Sequence, residues 1–140
     1  MENLIKKHAE KLRFGLVGGV NTLLDFGILF SLVFFDVDKI VANFISTSIA
    51  FIFSFFVNRS FTFKSTGGNT GRQFGIFLVI TLFGLWVIQP VIITAVAWSL
   101  RETGLANSLV LLIGKLLATV VTLVWNYLLY ARFVFKKDQV

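Results

Sequence analysis

The segment LANSLVLLIGKLLATVVTLVWNYLLY, from Leu105 to Tyr130, decides the fold because it is an apolar run long enough to cross a lipid bilayer. A transmembrane helix needs about 20 predominantly apolar residues to span roughly 30 Å of hydrocarbon. The run contains one charged residue, Lys115, not far from its middle. Since a lone charge at membrane depth costs roughly 2.5–3.5 kcal/mol on insertion scales, Lys115 is expected to meet a partner or a ligand.

Three further apolar runs, at residues 14–35, 40–57 and 74–100, have a similar character. Together with residues 105–130 they predict an all-α membrane protein, with four transmembrane helices in a single domain of residues 1–140. The third run is long enough to tilt or to bend at Gln89-Pro90, because proline removes a backbone donor. The first run exceeds the roughly 7–15 residues of a signal-peptide core and is therefore interpreted as a span.

The composition supports a membrane protein and offers little for catalysis. The chain is 56% hydrophobic and 14% charged, with a mean hydropathy of +0.86, whereas soluble domains carry about 25% charged residues. It has no cysteine, and its one histidine, His8, lies in a charged N-terminal segment where a solvated role is expected. No paired carboxylates, metal-ligand cluster or nucleophile–base pair stands out. We therefore expect no enzymatic activity, no catalytic residues, no bound metal and no cofactor.

The basic residues predict the orientation of the chain, because short loops rich in Lys and Arg stay in the cytoplasm. In a four-helix arrangement ten of the thirteen basic residues fall on one side. These are Lys6, Lys7, Lys11, Arg13, Arg59, Lys64, Arg72, Arg132, Lys136 and Lys137. Both termini are therefore predicted to be cytoplasmic. The net charge of +6 is interpreted as an orientation signal and an attraction to anionic membrane lipids, not as a nucleic-acid-binding feature.

Asp25 is the second charged residue inside a predicted span. Its relation to Lys115 can be interpreted in two ways. The two side chains could form a neutralising pair that holds the first and fourth helices together. Alternatively, Lys115 could receive an anionic headgroup, with Asn126, Asn58 and Gln89 around it and Asp25 tuning its charge. The spacing of polar residues in the fourth span predicts one inward face. It comprises Lys115, Thr119, Thr122, Asn126 and Tyr130.

The two halves of the sequence also resemble each other. Arg13-Phe14-Gly15 at the start of the first span is similar to Arg72-Gln73-Phe74-Gly75 at the start of the third. Phe61-Thr62-Phe63-Lys64 is likewise similar to Phe133-Val134-Phe135-Lys136. These similarities indicate two duplicated helical hairpins, although aromatic and basic residues also recur at any membrane interface.

Three groups of residues, in this order, resemble the motifs of the GtrA-like membrane proteins. The resemblance runs from Lys11 to Lys136. The groups are Arg13-Phe14-Gly15-Leu16-Val17-Gly18 followed by Asp25, then Phe55-Phe56-Val57-Asn58-Arg59-Ser60-Phe61-Thr62-Phe63, and finally Lys115-Leu116-Leu117-Ala118 with Trp125-Asn126-Tyr127 and Arg132-Phe133-Val134-Phe135. The family's lysine and asparagine in the last span correspond to Lys115 and Asn126.

The resemblance implies a translocator, or flippase, of polyprenyl-phosphate-linked monosaccharide (for instance on undecaprenyl phosphate) in cell-surface polysaccharide synthesis. Such a protein would be a multi-pass protein of the cell (inner or plasma) membrane, and it would serve membrane glycosyltransferases that use the sugar. Because four helices form a thin wall around a bulky headgroup, a homo-oligomer is also expected. The expected lipid-phosphate and sugar-binding residues are Lys115, Asp25, Asn126, Asn58, Arg59, Gln89 and Arg132.

Two other functions are compatible with the residues alone. The chain could be a non-transporting scaffold or accessory subunit that recruits a glycosyltransferase to the membrane. It could also be a small multidrug-type exporter, since those proteins use four short helices and a membrane carboxylate, here Asp25. Lys115 argues against the exporter, because it would repel cationic drugs.

Overall fold

The structure is a computed structural model that describes residues 1–135, without the side chains of Lys7 and Ile40. The described residues are 86% helical, and no strand occurs among them. Lys136 and Lys137, which were counted among the cytoplasmic cations, lie outside the described residues.

Within residues 1–135, four helices are long and apolar enough to cross a membrane. They comprise Glu2–Phe34, Val41–Thr62, Thr70–Leu100 and Asn107–Val134. The prediction of an all-α protein with four transmembrane helices is therefore confirmed, while the cytoplasmic placement of the termini stays a prediction. The first helix begins at Glu2 because the polar residues before the apolar run also favour a helix, and Lys6 pairs there with Glu2 at 3.1 Å.

These spans are built from five α-helices and three short π-helical turns. In chain order they are α1 (Glu2–Phe34), α2 (Lys39–Val57), π1 (Asn58–Thr62), α3 (Thr70–Phe83), π2 (Gly84–Ile88), α4 (Gln89–Leu100), α5 (Asn107–Leu129) and π3 (Tyr130–Val134). The π2 turn ends two residues before Pro90, which lies in the first turn of α4. Proline cannot donate to a helical carbonyl, so the wider turn accommodates it without breaking the span.

The described chain divides into two compact units, residues 1–67 and residues 68–135. In the first unit α1 packs against α2 and π1. In the second unit α4 packs against α5, and α3 contacts the end of the chain at π3. The fold of each unit is thus a helical hairpin that ends in a π turn.

The second helix of each hairpin is buried in the same register. In the first unit its buried residues are Ala42, Ser46, Ala50, Asn58, Thr62 and Phe63, together with Phe55, whose counterpart Tyr127 is half-buried. In the second unit they are Gly114, Ala118, Thr122, Tyr130, Val134 and Phe135. Each residue of the second set lies 72 positions after its counterpart, as 114 does after 42. The structure thus supports the interpretation of the two halves as duplicated hairpins.

Ring contacts extend this correspondence to the first helix of each hairpin. The rings of Phe14 and Phe63 lie 6.2 Å apart at an angle of 57°, and those of Phe77 and Phe135 lie 6.3 Å apart at 57°. Phe77 therefore occupies the position of Phe14. The similarity between the two halves of the sequence matches Phe14 with Phe74, which lies one helical turn before Phe77. That match follows the aromatic and basic residues common to membrane interfaces, and these recur whether or not they pack against another helix.

Candidate functional site

Lys115 lies on the exposed surface of α5, beside a close approach of α4 and α5. The neighbouring Gly114 is buried, and a Cβ atom added to it would lie 3.3 Å from the Cα of Ile93. In the second unit the only carboxylate among the described residues is Glu102, which pairs with Arg101 at 3.4 Å. Within its own unit, Lys115 therefore presents an ammonium group without an acidic partner.

The polar residues of the fourth span do not form the single inward face that their spacing predicted. Thr122 and Tyr130 are buried and Asn126 is half-buried, but Lys115 and Thr119 are exposed. The buried stripe of α5 follows Gly114 and Ala118 instead, each one position before an exposed polar residue. The small residues take the contact because they let helices approach closely in a membrane.

Asn126 lies at a second close approach, between α5 and π2. A Cβ atom on Gly84 would come within 2.8 Å of Thr122 Cγ2 and 3.5 Å of Asn126 Oδ1. That oxygen is buried and has no hydrogen-bond partner among the residues that the structure describes. Gln89 is half-buried at the first position of α4, directly after π2. The unit thus keeps an unpaired amide oxygen inside its span.

Aromatic side chains surround this part of the second unit. Trp125 stacks on Phe83 with ring centroids 5.4 Å apart, and its indole N–H donates to the carbonyl of Ile80 at 3.4 Å. Tyr130 stacks on Phe77 at 4.5 Å and shares a short hydrogen bond with the Thr81 hydroxyl. The sequence alone does not reveal this partner of Tyr130, because Thr81 lies 49 residues away.

Asp25 lies on α1 in the first unit and is half-buried. Its Oδ1 is buried and has no hydrogen-bond partner within the described part of that unit, and the same is true of Asn21 Oδ1, four residues earlier. Asn21 was missed by the sequence analysis, although its spacing of one helical turn from Asp25 was a visible signal. The first hairpin therefore presents two unpaired acceptors on adjacent turns of one helix.

Asn58 is the first residue of π1 and is 2% exposed. Its Nδ2 donates to Ser54 Oγ at 3.2 Å, while its Oδ1 is buried without a partner among residues 1–135. The adjacent Arg59 is half-buried, and its backbone carbonyl accepts a hydrogen bond from Ser65 at 2.8 Å. The end of α2 thus carries a buried amide beside a partly exposed guanidinium.

Arg132 lies in π3 and is exposed, with its guanidinium carbon 5.6 Å from the ring centroid of Phe133. The predicted site residues are thus divided between the units. Asp25, Asn58 and Arg59 belong to the first hairpin, and Gln89, Lys115, Asn126 and Arg132 belong to the second. Among the described residues, no group of three or more His, Cys, Asp or Glu side chains could hold a metal ion.

Comparison with known protein families gives a match over most of the chain. The family model described as "GtrA/DPMS, transmembrane domain" matches residues 13–135, which is most of the chain. The matched region begins at Arg13 and ends at Phe135, so it covers both hairpins and all three π turns. No curated protein sequence gives a significant match.

Proposed function

Because the chain belongs to the GtrA/DPMS transmembrane-domain family, a family involved in handling polyprenyl-phosphate-linked sugars, we propose that it moves such a lipid between membrane leaflets. The transported molecule would be a polyprenyl-phosphate-linked monosaccharide. The four spans make the chain a multi-pass membrane protein. We assign it to the cell membrane, where a membrane glycosyltransferase would use the sugar on the far side.

The observation that carries this proposal is the exposed ammonium group of Lys115 within a transmembrane helix. A sugar phosphate cannot cross hydrocarbon unaided, because its charge and hydroxyl groups would lose their water. An exposed lysine at this depth gives the phosphate a counter-charge during passage, and the phosphate in turn offsets the cost of the lysine. Both charges are therefore stabilised only while the lipid is bound.

Two further features of the second unit suit the rest of the lipid. The unpaired Oδ1 of Asn126 can accept a hydrogen bond from a sugar hydroxyl. An apolar groove runs along α4, where a prenyl chain can lie without leaving lipid. It is lined by Pro90, Val91, Thr94, Ala95 and Trp98. Transport needs only binding and release, so the proposal includes no covalent step.

A liposome assay tests the proposal directly. The protein is reconstituted into liposomes that contain a labelled polyprenyl-phosphate-linked hexose, and exchange between leaflets is timed. We expect exchange to be faster with the protein than without it. Equal rates would refute the proposed function.

Lys115→Met provides the matching variant, because methionine keeps most of the side-chain length and removes the charge. We expect its exchange rate to fall by about tenfold or more, the effect of losing one charge-assisted hydrogen bond. Lys39→Met is the control, since Lys39 lies at the start of α2, outside the apolar run. A fully active Lys115→Met protein would favour a structural role for the lysine.

The second candidate function is that of a non-transporting accessory subunit. The exposed ammonium group of Lys115 is relevant to this function as well. An exposed lysine on α5 could pair with a carboxylate in a helix of a partner glycosyltransferase. In that case Lys115→Met would reduce co-purification of the enzyme, while liposomes with the wild-type chain alone would show no exchange.

A further inference from the structure

The two hairpins differ in polarity at two pairs of corresponding positions in their closing turns, π1 and π3. In the second hairpin Tyr130 fills the first of these positions, and its ring and hydroxyl contact Phe77 and Thr81. In the first hairpin the corresponding residue is Asn58, 72 positions earlier. One turn further, Val134 corresponds to Thr62. The second hairpin thus closes with partnered or apolar side chains, while the first places an amide and a hydroxyl at the same sites.

Both polar side chains of the first hairpin are almost completely buried and incompletely paired. Asn58 is 2% exposed and Thr62 is 1% exposed. Asn58 Oδ1 and Thr62 Oγ1 have no hydrogen-bond partner within the described residues. Since only one polar atom of the Asn58 amide meets Ser54, the other stays unpaired whichever way the amide is turned. Buried polar groups are rarely left unpaired in this way unless water or a ligand completes them.

The first hairpin also has open space at a glycine of α1, the helix that packs against π1. The ring contacts make Gly18 the counterpart of Thr81, because Phe14 corresponds to Phe77 and Gly18 lies four residues later. A Cβ atom added to Gly18 would meet no heavy atom within 4 Å. The first hairpin therefore has open space at the position that the Thr81 side chain takes in the second.

An arginine adds a positive charge at the same end of the hairpin. Arg13 immediately precedes Phe14, and its guanidinium carbon lies 5.9 Å from the ring centroid of Phe61, next to Thr62. Its Nε is buried and has no partner among the residues described. A guanidinium donor, a hydroxyl and an amide are thus all incompletely paired around π1.

We propose that Arg13, Asn58 and Thr62, together with the open space at Gly18, form a binding site for a sugar phosphate in the first hairpin. Arg13 Nε and the Thr62 hydroxyl donate to phosphate oxygens, and the Asn58 amide bonds to a sugar hydroxyl. The site lies at the end of the span Val41–Thr62, where the headgroups of a bilayer begin, and its buried groups would have to open to admit the sugar phosphate. This inference rests on the proposed function and identifies the headgroup-loading site of that function.

The test measures binding of a labelled polyprenyl-phosphate-linked hexose to the full-length protein in nanodiscs. Thr62→Val copies Val134 and removes only the unpaired hydroxyl. Gly18→Thr copies Thr81 and fills the open space. We expect Thr62→Val to bind the lipid roughly tenfold more weakly, as for the loss of one hydrogen bond to a charged group. We expect Gly18→Thr to weaken binding as well, because the new side chain would occupy the open space. Gly75→Ala is the control, because a Cβ atom there also meets nothing within 4 Å but belongs to the second hairpin.

Thermal unfolding of the same variants separates binding from folding. Since Thr62→Val removes a buried hydroxyl that has no partner, it should leave the midpoint unchanged or raise it. A lowered midpoint with unchanged binding would show that the hydroxyl has a structural role, and it would overturn the inference. Unchanged binding by both Thr62→Val and Gly18→Thr would overturn it as well, whether or not the wild-type chain transports lipid.

Competition distinguishes the source of the bound group. A soluble hexose phosphate should displace the labelled lipid from wild type, and about tenfold less effectively from Thr62→Val. This result would show that the site binds the headgroup without needing the prenyl chain. Failure of the soluble compound, with displacement by unlabelled polyprenyl-phosphate hexose, would show that the prenyl chain is also required. Displacement by sugar-free polyprenyl phosphate at equal strength would overturn the role of Asn58 in sugar binding.

Discussion

Polar side chains within the spans fall into two groups, according to whether the protein itself completes their hydrogen bonds. Thr122 and Thr119 donate to carbonyl oxygens of their own helix, each at 2.7 Å, and Tyr130 reaches Thr81. A second group keeps a buried atom without a partner among the described residues. It comprises Arg13, Asn21, Asp25, Asn58, Thr62 and Asn126. Since an unpaired buried polar group costs roughly 1–3 kcal/mol, the second group is where water or a ligand is expected.

Tyr130 tests the first group. Tyr130→Phe keeps the ring stacked on Phe77 and removes the hydrogen bond with Thr81. We expect the free energy of unfolding to fall by about 0.6 kcal/mol and by no more than about 1.7, the range for such bonds between membrane helices. Tyr130→Leu should cost more because it also removes the stacking. Thermal unfolding in detergent provides the comparison, and equal losses would mean that the ring contributes nothing.

Individual elements are positioned by small residues where helices cross and by π turns where they end. Gly114 allows α4 to approach α5, and Gly84 allows π2 to approach the same helix further along. Each hairpin then ends in a wider turn, in which Phe63 donates to the Asn58 carbonyl at 2.9 Å and Phe135 donates to the Tyr130 carbonyl at 2.8 Å. The turns place Phe63 and Phe135 on the buried side of their helices, where both are about 1% exposed.

Gly84 tests the packing of elements. In Gly84→Ala the new methyl group would lie 2.8 Å from Thr122 Cγ2, so we expect a loss of about 1–3 kcal/mol in the free energy of unfolding. Thr122→Ser removes that methyl group and keeps the hydroxyl that bonds to the Ala118 carbonyl. The double variant should therefore recover most of the loss. If it is no more stable than Gly84→Ala alone, the clash lies elsewhere.

The whole molecule is a pair of similar hairpins whose predicted orientation follows from its charges. Because each hairpin enters and leaves the membrane on the same side, the loop between them should share that side with both termini. The residues near 101–104, between α4 and α5, should lie on the opposite side.

Cysteine labelling tests this orientation, since the chain has no native cysteine. Thr103→Cys, in the loop before α5, should react with an impermeant maleimide in intact cells. Thr66→Cys, in the loop before α3, should react only after the membrane is permeabilised. Both positions are exposed, so accessibility within the protein is matched. The reverse pattern would show that the basic loops face outward.

The number of spans could be predicted from the sequence because it depends on the length of each apolar run, as the run at 105–130 shows. The exposure of Lys115 could not be predicted in this way. Gly114 and Lys115 are only 100° apart around the helix, and which of them is buried depends on where the partner helix packs. The unpaired hydroxyl of Thr62 could not be predicted either, because it also depends on which groups the neighbouring helix brings near. The Phe61-Thr62-Phe63 motif indicated an interface, but only the burial of its threonine shows that no partner reaches it.

The exposed ammonium group on α5 has a consequence for the surrounding bilayer. A charge held at membrane depth draws water and headgroups inward and thins the lipid next to it. The hydrocarbon barrier beside α5 should therefore be locally lower for other anionic phospholipids, which would flip slowly at the same place. A small leak of unrelated lipid would then accompany selective transport as a direct result of where the lysine lies.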